Sequence, residues 1–192
     1  MPGGRGRFDA VAYRGREAHT GNVDKQAVHD DLDRACDSFR LLLDGADAEQ
    51  LRRRSNGTKW NNRQLLFHML LGFLIMRALL ALARIMARLP QWAGSAWARL
   101  LNAGTRPFDV VNFAGSWLGG SVMPRRAMVV LCDRTIAALH QRLDRENENS
   151  LAKGMPYPTR WDPFFREFMT VADLYRFPVQ HFDFHRNQLS LS

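Results

Sequence analysis

Apolar residues recur at steps of three and four from about Asn22 to Leu43, and Val28, Leu32, Ala35, Phe39 and Leu42 share one face. The opposite face carries Asp30, Asp31, Asp33, Arg34 and Asp37, the two-sided pattern of a helix laid on a core. Gly45 is read as its stop, and the polar stretch to Trp60 as a connector. A second helix is predicted from Asn61 or Asn62 to about Leu89, where Pro90 ends it. Its inward stripe is Leu65, His68, Gly72, Ile75, Leu79, Leu82 and Met86. From Pro90 to Met123 the chain is rich in glycine and reads as a long connection, with a short helix at most around Trp97 to Leu101. Pro124 suits a first helical position, and a third helix follows to about Arg145 on Met128, Cys132, Ile136, Leu139 and Leu143. Residues 146–166, with Gly154, Pro156, Pro158 and Pro163, read as irregular. The last helix opens at Thr170, with Asp173 three residues on as in a capping box, and runs to the C-terminus with a kink at Pro178.

The expected fold is therefore all-α, a four-helix bundle in up-down-down-up order with long connections between helices 2 and 3 and helices 3 and 4. A short first connection leaves helices 1 and 2 antiparallel, whereas the long second one returns along the bundle and leaves helices 2 and 3 parallel. Residues 21–192 are expected to form this one domain, behind a disordered tail of residues 1–20. No strand-like alternation persists beyond a few residues.

Composition narrows the setting. The strongest apolar run, Leu65 to Met76, contains His68 and falls short of the roughly 20 residues that cross a bilayer, so it reads as a buried helix and no membrane partner is expected. The N-terminal arginines precede no apolar stretch of the kind a secretory signal needs, which makes the cytoplasm the expected compartment. Cys36 and Cys132 lie far apart in apolar helical patterns and read as core residues, with neither a CxxC pair nor a disulfide framework. A net charge of +8 raises the question of nucleic acid. The arginines are scattered along helices, however, and no basic stripe is interleaved with stacking aromatics, so nucleic acid is not the expected partner.

The candidate chemistry lies in the histidines. His181 and His185 are four apart, so both imidazoles leave one helix face about 6 Å apart at Cβ. In the expected topology His68, near the start of the descending second helix, arrives at the same end of the bundle. An unpaired neutral imidazole in an apolar interior costs on the order of 1–3 kcal/mol, and a shared metal ion accounts for three of them together. Three protein ligands leave a coordination position open, the arrangement of catalytic rather than structural sites. His19, His29 and His140 read as terminal or solvent-facing. No HExxH and no Glu-x-x-His occurs, which excludes zincin and ferritin-like di-iron sites. The topology places the Ala46 to Trp60 connector and the segment from Val110 to Arg126 around the metal. Asn112, Arg125, Arg126 and Trp60 are therefore the candidate substrate-binding residues, the arginines because their forks suit carboxylates. No general acid or base is evident, and no catalytic residue is assigned.

The C-terminal segment MTVADLYRFPVQHFDFHRNQL, with its HxxxHRxQL ending, and the W-x₄-LLFHM stretch around His68 resemble the metal-binding pattern of the DinB-like superfamily over residues 25–190. The resemblance implies a helical bundle, a divalent metal (nickel or zinc) on His68, His181 and His185, and a homodimer. Members include thiol S-transferases that use mycothiol or bacillithiol and a maleylpyruvate isomerase. The expectation that follows is a metal-dependent transferase or isomerase that uses a low-molecular-weight thiol on a small-molecule substrate. Two alternatives stay open: a metal-dependent hydrolase of a small substrate, and a non-catalytic metal- or nucleic-acid-binding module.

Overall fold

The computed structural model describes residues 23–86 and 91–191. The expected N-terminal tail, His19, the last turn of the second helix to Leu89 and its stop at Pro90 lie outside the described residues. Among the described residues the protein is mostly helical, with eight helices and one two-stranded sheet.

Helix α1 (Lys25–Gly45) is started by Asp24, whose carboxylate accepts a hydrogen bond from the Ala27 N–H. Its buried stripe is the predicted one with Cys36 and Leu43 added, and Leu42 only partly covered. Helix α6 (Arg125–Asp144) buries Met128, Cys132, Ile136, Leu139 and Leu143 as predicted. The two helices pack together, and Arg40 bridges them to Asp133 at 2.7 Å. This seam corrects one expectation and extends another. His29 and His140 do not face solvent singly: their Nδ1 atoms meet at 2.5 Å, with Asp144 and Asp33 on their outer nitrogens at 3.0 and 2.8 Å. Cys36 and Cys132 are core residues, but they are also neighbours, Sγ to Sγ at 3.3 Å. Periodicity tells which face a residue occupies, not which residue opposes it.

Helix α3 (Asn62–Met86) is the central element, packed against α1, α6 and two helices introduced below. Residues 64–70 are all buried, so every face of the helix is covered there, including the polar Gln64 and His68. The apolar stretch extends beyond Leu65 to Met76: the 22 residues Asn62–Ala83 are long and apolar enough to cross a membrane. Within this fold 56% of its 18-residue apolar window is buried against protein, so neighbouring helices account for much of its apolar character.

The connection from Pro90 to Met123 is not irregular. It holds α4 (Gln91–Ala103) and α5 (Thr105–Val122), and α5 lies along α3. Glycines read as punctuation make that contact. A Cβ on Gly120 would stand 2.5 Å from the Gln64 Cα, and one on Gly119 would overlap the Phe67 ring. Their helical cost is about 1 kcal/mol each, offset by the close approach of two backbones.

Residues 146–166 are likewise partly regular. Helix α7 (Glu148–Ala152) is capped by Asn147, and strand β1 (Gly154–Pro156) pairs antiparallel with β2 (Phe168–Thr170), Met155 opposite Met169. An all-α reading misses this sheet because three residues are too few for alternation to show. In the first connector a further short helix, α2 (Ala48–Arg52), opens on a capping box between Asp47 and Gln50. Helix α8 (Val171–Arg186) opens on the predicted Thr170 and Asp173 box, contains Pro178, and stops short of the C-terminus. The chain then folds back on the start of α3, where the Asn62 amide donates to the Ser190 carbonyl at 3.1 Å.

Candidate metal centre

Helices α3 and α8 pack with the start of one beside the end of the other, which sets His68 opposite His185 and Gly72 opposite His181. Gly72 is a spacing requirement: a Cβ there would lie 2.9 Å from the His181 Cδ2. His68 and His181 are 5% and 6% exposed, so both imidazoles are withdrawn from water. Nε2 of His68 and Nε2 of His185 are 3.2 Å apart, and one ring nitrogen from each of the three histidines falls within 4.8 Å of the others. The three histidines therefore meet in space.

The opposite side of each ring is held in place. The His181 Nδ1 meets the Asp162 carboxylate at 2.9 Å, the His185 Nδ1 meets the Gln188 Oε1 at 2.6 Å, and the His68 Nδ1 meets the Ser116 hydroxyl at 3.1 Å. Carboxylate and amide oxygens only accept, so His181 and His185 donate from Nδ1 and present a bare lone pair on Nε2. Nε2 of His181 is buried with no hydrogen-bond partner among the described residues. An orphaned lone pair aimed at two other imidazole nitrogens is poor packing for a histidine core and a good donor set for one divalent ion.

Protonation agrees with this. Burial pushes His68 well below the usual imidazole range, with the His181 and His185 charges acting in the same direction. Burial, and then His181, also lower His185 to about 4. At neutral pH these two rings are neutral, the form that coordinates a metal.

A small cavity of about 30 Å³ adjoins the histidines, between α3, α5, α8 and the turn around Asp162. Ile75, Phe165 and Phe177 line it, as do Phe108 and Trp161, which stack directly on each other with centroids 3.9 Å apart. Of the residues predicted to bind substrate, Asn112 lines this cavity together with His68. Trp60 stacks on the His68 ring at 4.4 Å and on Phe113 at 5.9 Å, so it forms a wall of the site. Neither Arg125 nor Arg126 lines the cavity. Arg125 reaches the Leu43 carbonyl at 3.4 Å, and Arg126 is exposed at the start of α6.

Sequence reasoning missed Asp162, Ser116 and Gln188. Gln188 had a signal, since it follows His185 by three residues at a helix end. Ser116 becomes legible only once α5 is a helix, four residues from Asn112 on one face. Asp162 sits in a connection 19 residues before His181, and no spacing rule reaches it.

Comparison with curated proteins finds no match, and comparison with solved structures finds none. The family model of the DinB superfamily matches residues 31–189, a span that holds all three histidines and most of the sequence, and the chain belongs to the DinB superfamily.

Proposed function

We propose that His68, His181 and His185 bind one divalent metal ion, nickel or zinc, and that the protein uses it as a transferase or isomerase with a low-molecular-weight thiol. The observation that carries this reading is that one ring nitrogen from each of the three histidines lies within 4.8 Å of the others, while Ser116, Asp162 and Gln188 hold the Nδ1 atoms. A divalent ion there supplies Lewis-acid chemistry, which favours the deprotonated form of a thiol near neutral pH. The chain's own residues set the rest. Asp162 keeps the proton on the His181 Nδ1, so that ring cannot rotate its donor nitrogen away. The aromatic walls exclude water and strengthen electrostatic interactions inside. A cavity of about 30 Å³ admits one or two water-sized groups, so a thiol enters by its sulfur end while its body stays outside. The Asn112 amide lines the same space and is the polar group placed to orient a substrate.

The bundle around this site is proposed to follow the up-down-down-up order. Arg63, near the start of α3, donates to the Met123 carbonyl just before α6, and Arg142, near the end of α6, donates to the Leu80 carbonyl. Both contacts suit parallel α3 and α6. The proposed homodimer has a candidate face on α5, where Val110, Val111, Leu118 and Val122 are exposed.

The test uses a panel of low-molecular-weight thiols on metal-loaded and metal-free protein. A thiol at a hundred times its dissociation constant should stabilise the loaded form by about 2.7 kcal/mol and leave the metal-free form unchanged. Thiol consumption with a generic electrophile should follow the same dependence. If no thiol shifts the loaded protein and none is consumed, thiol transfer gives way to hydrolysis of a small substrate.

A further inference from the structure

Cys36 on α1 and Cys132 on α6 face each other in the core, 3% and 1% exposed, with their sulfurs 3.3 Å apart. That is closer than two sulfurs in ordinary van der Waals contact. A disulfide needs about 2.05 Å between sulfurs, so closing this pair calls for a shift of about 1 Å. The helices are held in the matching register on both sides: Arg40 meets Asp133 on one, and His29 meets His140 on the other. A carboxylate oxygen stands beside the pair. The Asp133 Oδ1 is 3.5 Å from the Cys36 Sγ and also accepts from the Arg40 Nε at 3.0 Å. At Cys132 the hydrogen bond with Cys36, then burial, then the charges of Cys36 and Asp133, push its titration upward against the opposing pull of Arg40. Cys36, whose thiol lies beside that carboxylate oxygen, is therefore the sulfur placed to attack first.

We infer that Cys36 and Cys132 form a redox site at which a small hydroperoxide converts the two thiols to a disulfide joining α1 to α6. The proton of Cys36 passes to the Asp133 carboxylate while the sulfur bonds to one peroxide oxygen. The O–O bond breaks, and the leaving hydroxide takes that proton to become water. Cys36 is now a sulfenic acid. The Cys132 sulfur attacks the Cys36 sulfur, the S–S bond forms, the S–O bond breaks, and the departing hydroxide leaves with the Cys132 proton as a second water. Two thiols have lost two electrons and two protons, and one peroxide has become two waters. The oxidant must be about as small as hydrogen peroxide, because both sulfurs are buried. Two equivalents of a thiol reverse the reaction by exchange once opening of the α1–α6 seam exposes the disulfide.

The experiment treats the folded, full-length protein with a small excess of hydrogen peroxide, alkylates the remaining thiols after denaturation, and maps the peptides. The expected result is a peptide linked through Cys36 and Cys132, with both thiols lost together and both recovered by dithiothreitol. In Cys132→Ala treated with peroxide while folded, dimedone added on denaturation should trap a sulfenic acid on Cys36, whereas Cys36→Ala should give no adduct on Cys132. The proposal is overturned if both cysteines stay alkylatable while surface methionines oxidise, or if the linked peptide forms only when the protein is unfolded before peroxide is added.

Discussion

At the scale of single residues the centre depends on what stands behind each histidine. Asp162 touches the ring of a proposed ligand and not the ion's position, so Asp162→Asn should leave the fold intact and weaken metal affinity by roughly 10–100-fold, as loss of a supporting carboxylate usually does. Titration with a competing chelator measures it, and unchanged affinity would remove Asp162 from the account. The buried imidazoles also set a pH dependence. His185 titrates near 4 in the folded chain against an ordinary 6.5, so between those values the unfolded chain binds the extra proton. Stability of the metal-free protein should therefore be full above pH 6.5 and fall as pH drops, with the loss complete near pH 4. For this one partly buried ring the loss is on the order of 2–3 kcal/mol after allowance for solvent. Denaturant melts of the metal-free protein at pH 7.5 and 4.5 give the measurement, and equal midpoints would contradict the lowered titration. The histidines themselves were legible in the sequence because four-residue spacing is a helix property; Asp162 was not, because its contact is tertiary.

At the scale of elements, the buried stripes of α1 and α6 and the capping box of α8 were readable because each follows from local periodicity or a local hydrogen bond. Helix α5 was not, since its glycines carry the signal of a loop while serving as contact points against α3. Substitution separates the two roles. Gly120→Ala sets a methyl group against the Gln64 backbone and should destabilise by about 1–3 kcal/mol, the usual result of overpacking. Gly45→Ala meets nothing within 4 Å and should be neutral or stabilising by up to about 1 kcal/mol. Gly72→Ala is the informative case, because its methyl group would meet the His181 ring rather than backbone. It should lower metal affinity more than it lowers the melting temperature. Equal melting temperatures for Gly120→Ala and the parent protein would show that the α3 and α5 backbones are not in close contact.

At the scale of the whole molecule, one buried helix organises the rest. Helix α3 carries His68, receives α5 on one side and α8 on another, and owes its apolar character to being covered. The exposed valines and Leu118 of α5 carry the dimer proposal, and Val111→Asp should shift the protein toward monomer in sedimentation if that face is the interface. Everything proposed about reaction chemistry rests on the histidine cluster at the meeting of α3 and α8. Elemental analysis of the purified protein, wild type beside His181→Ala and Arg125→Ala, tests that most directly. About one divalent ion per chain in the wild type and in Arg125→Ala, with none in a folded His181→Ala, is the predicted result. Equal metal content in wild type and His181→Ala would contradict it.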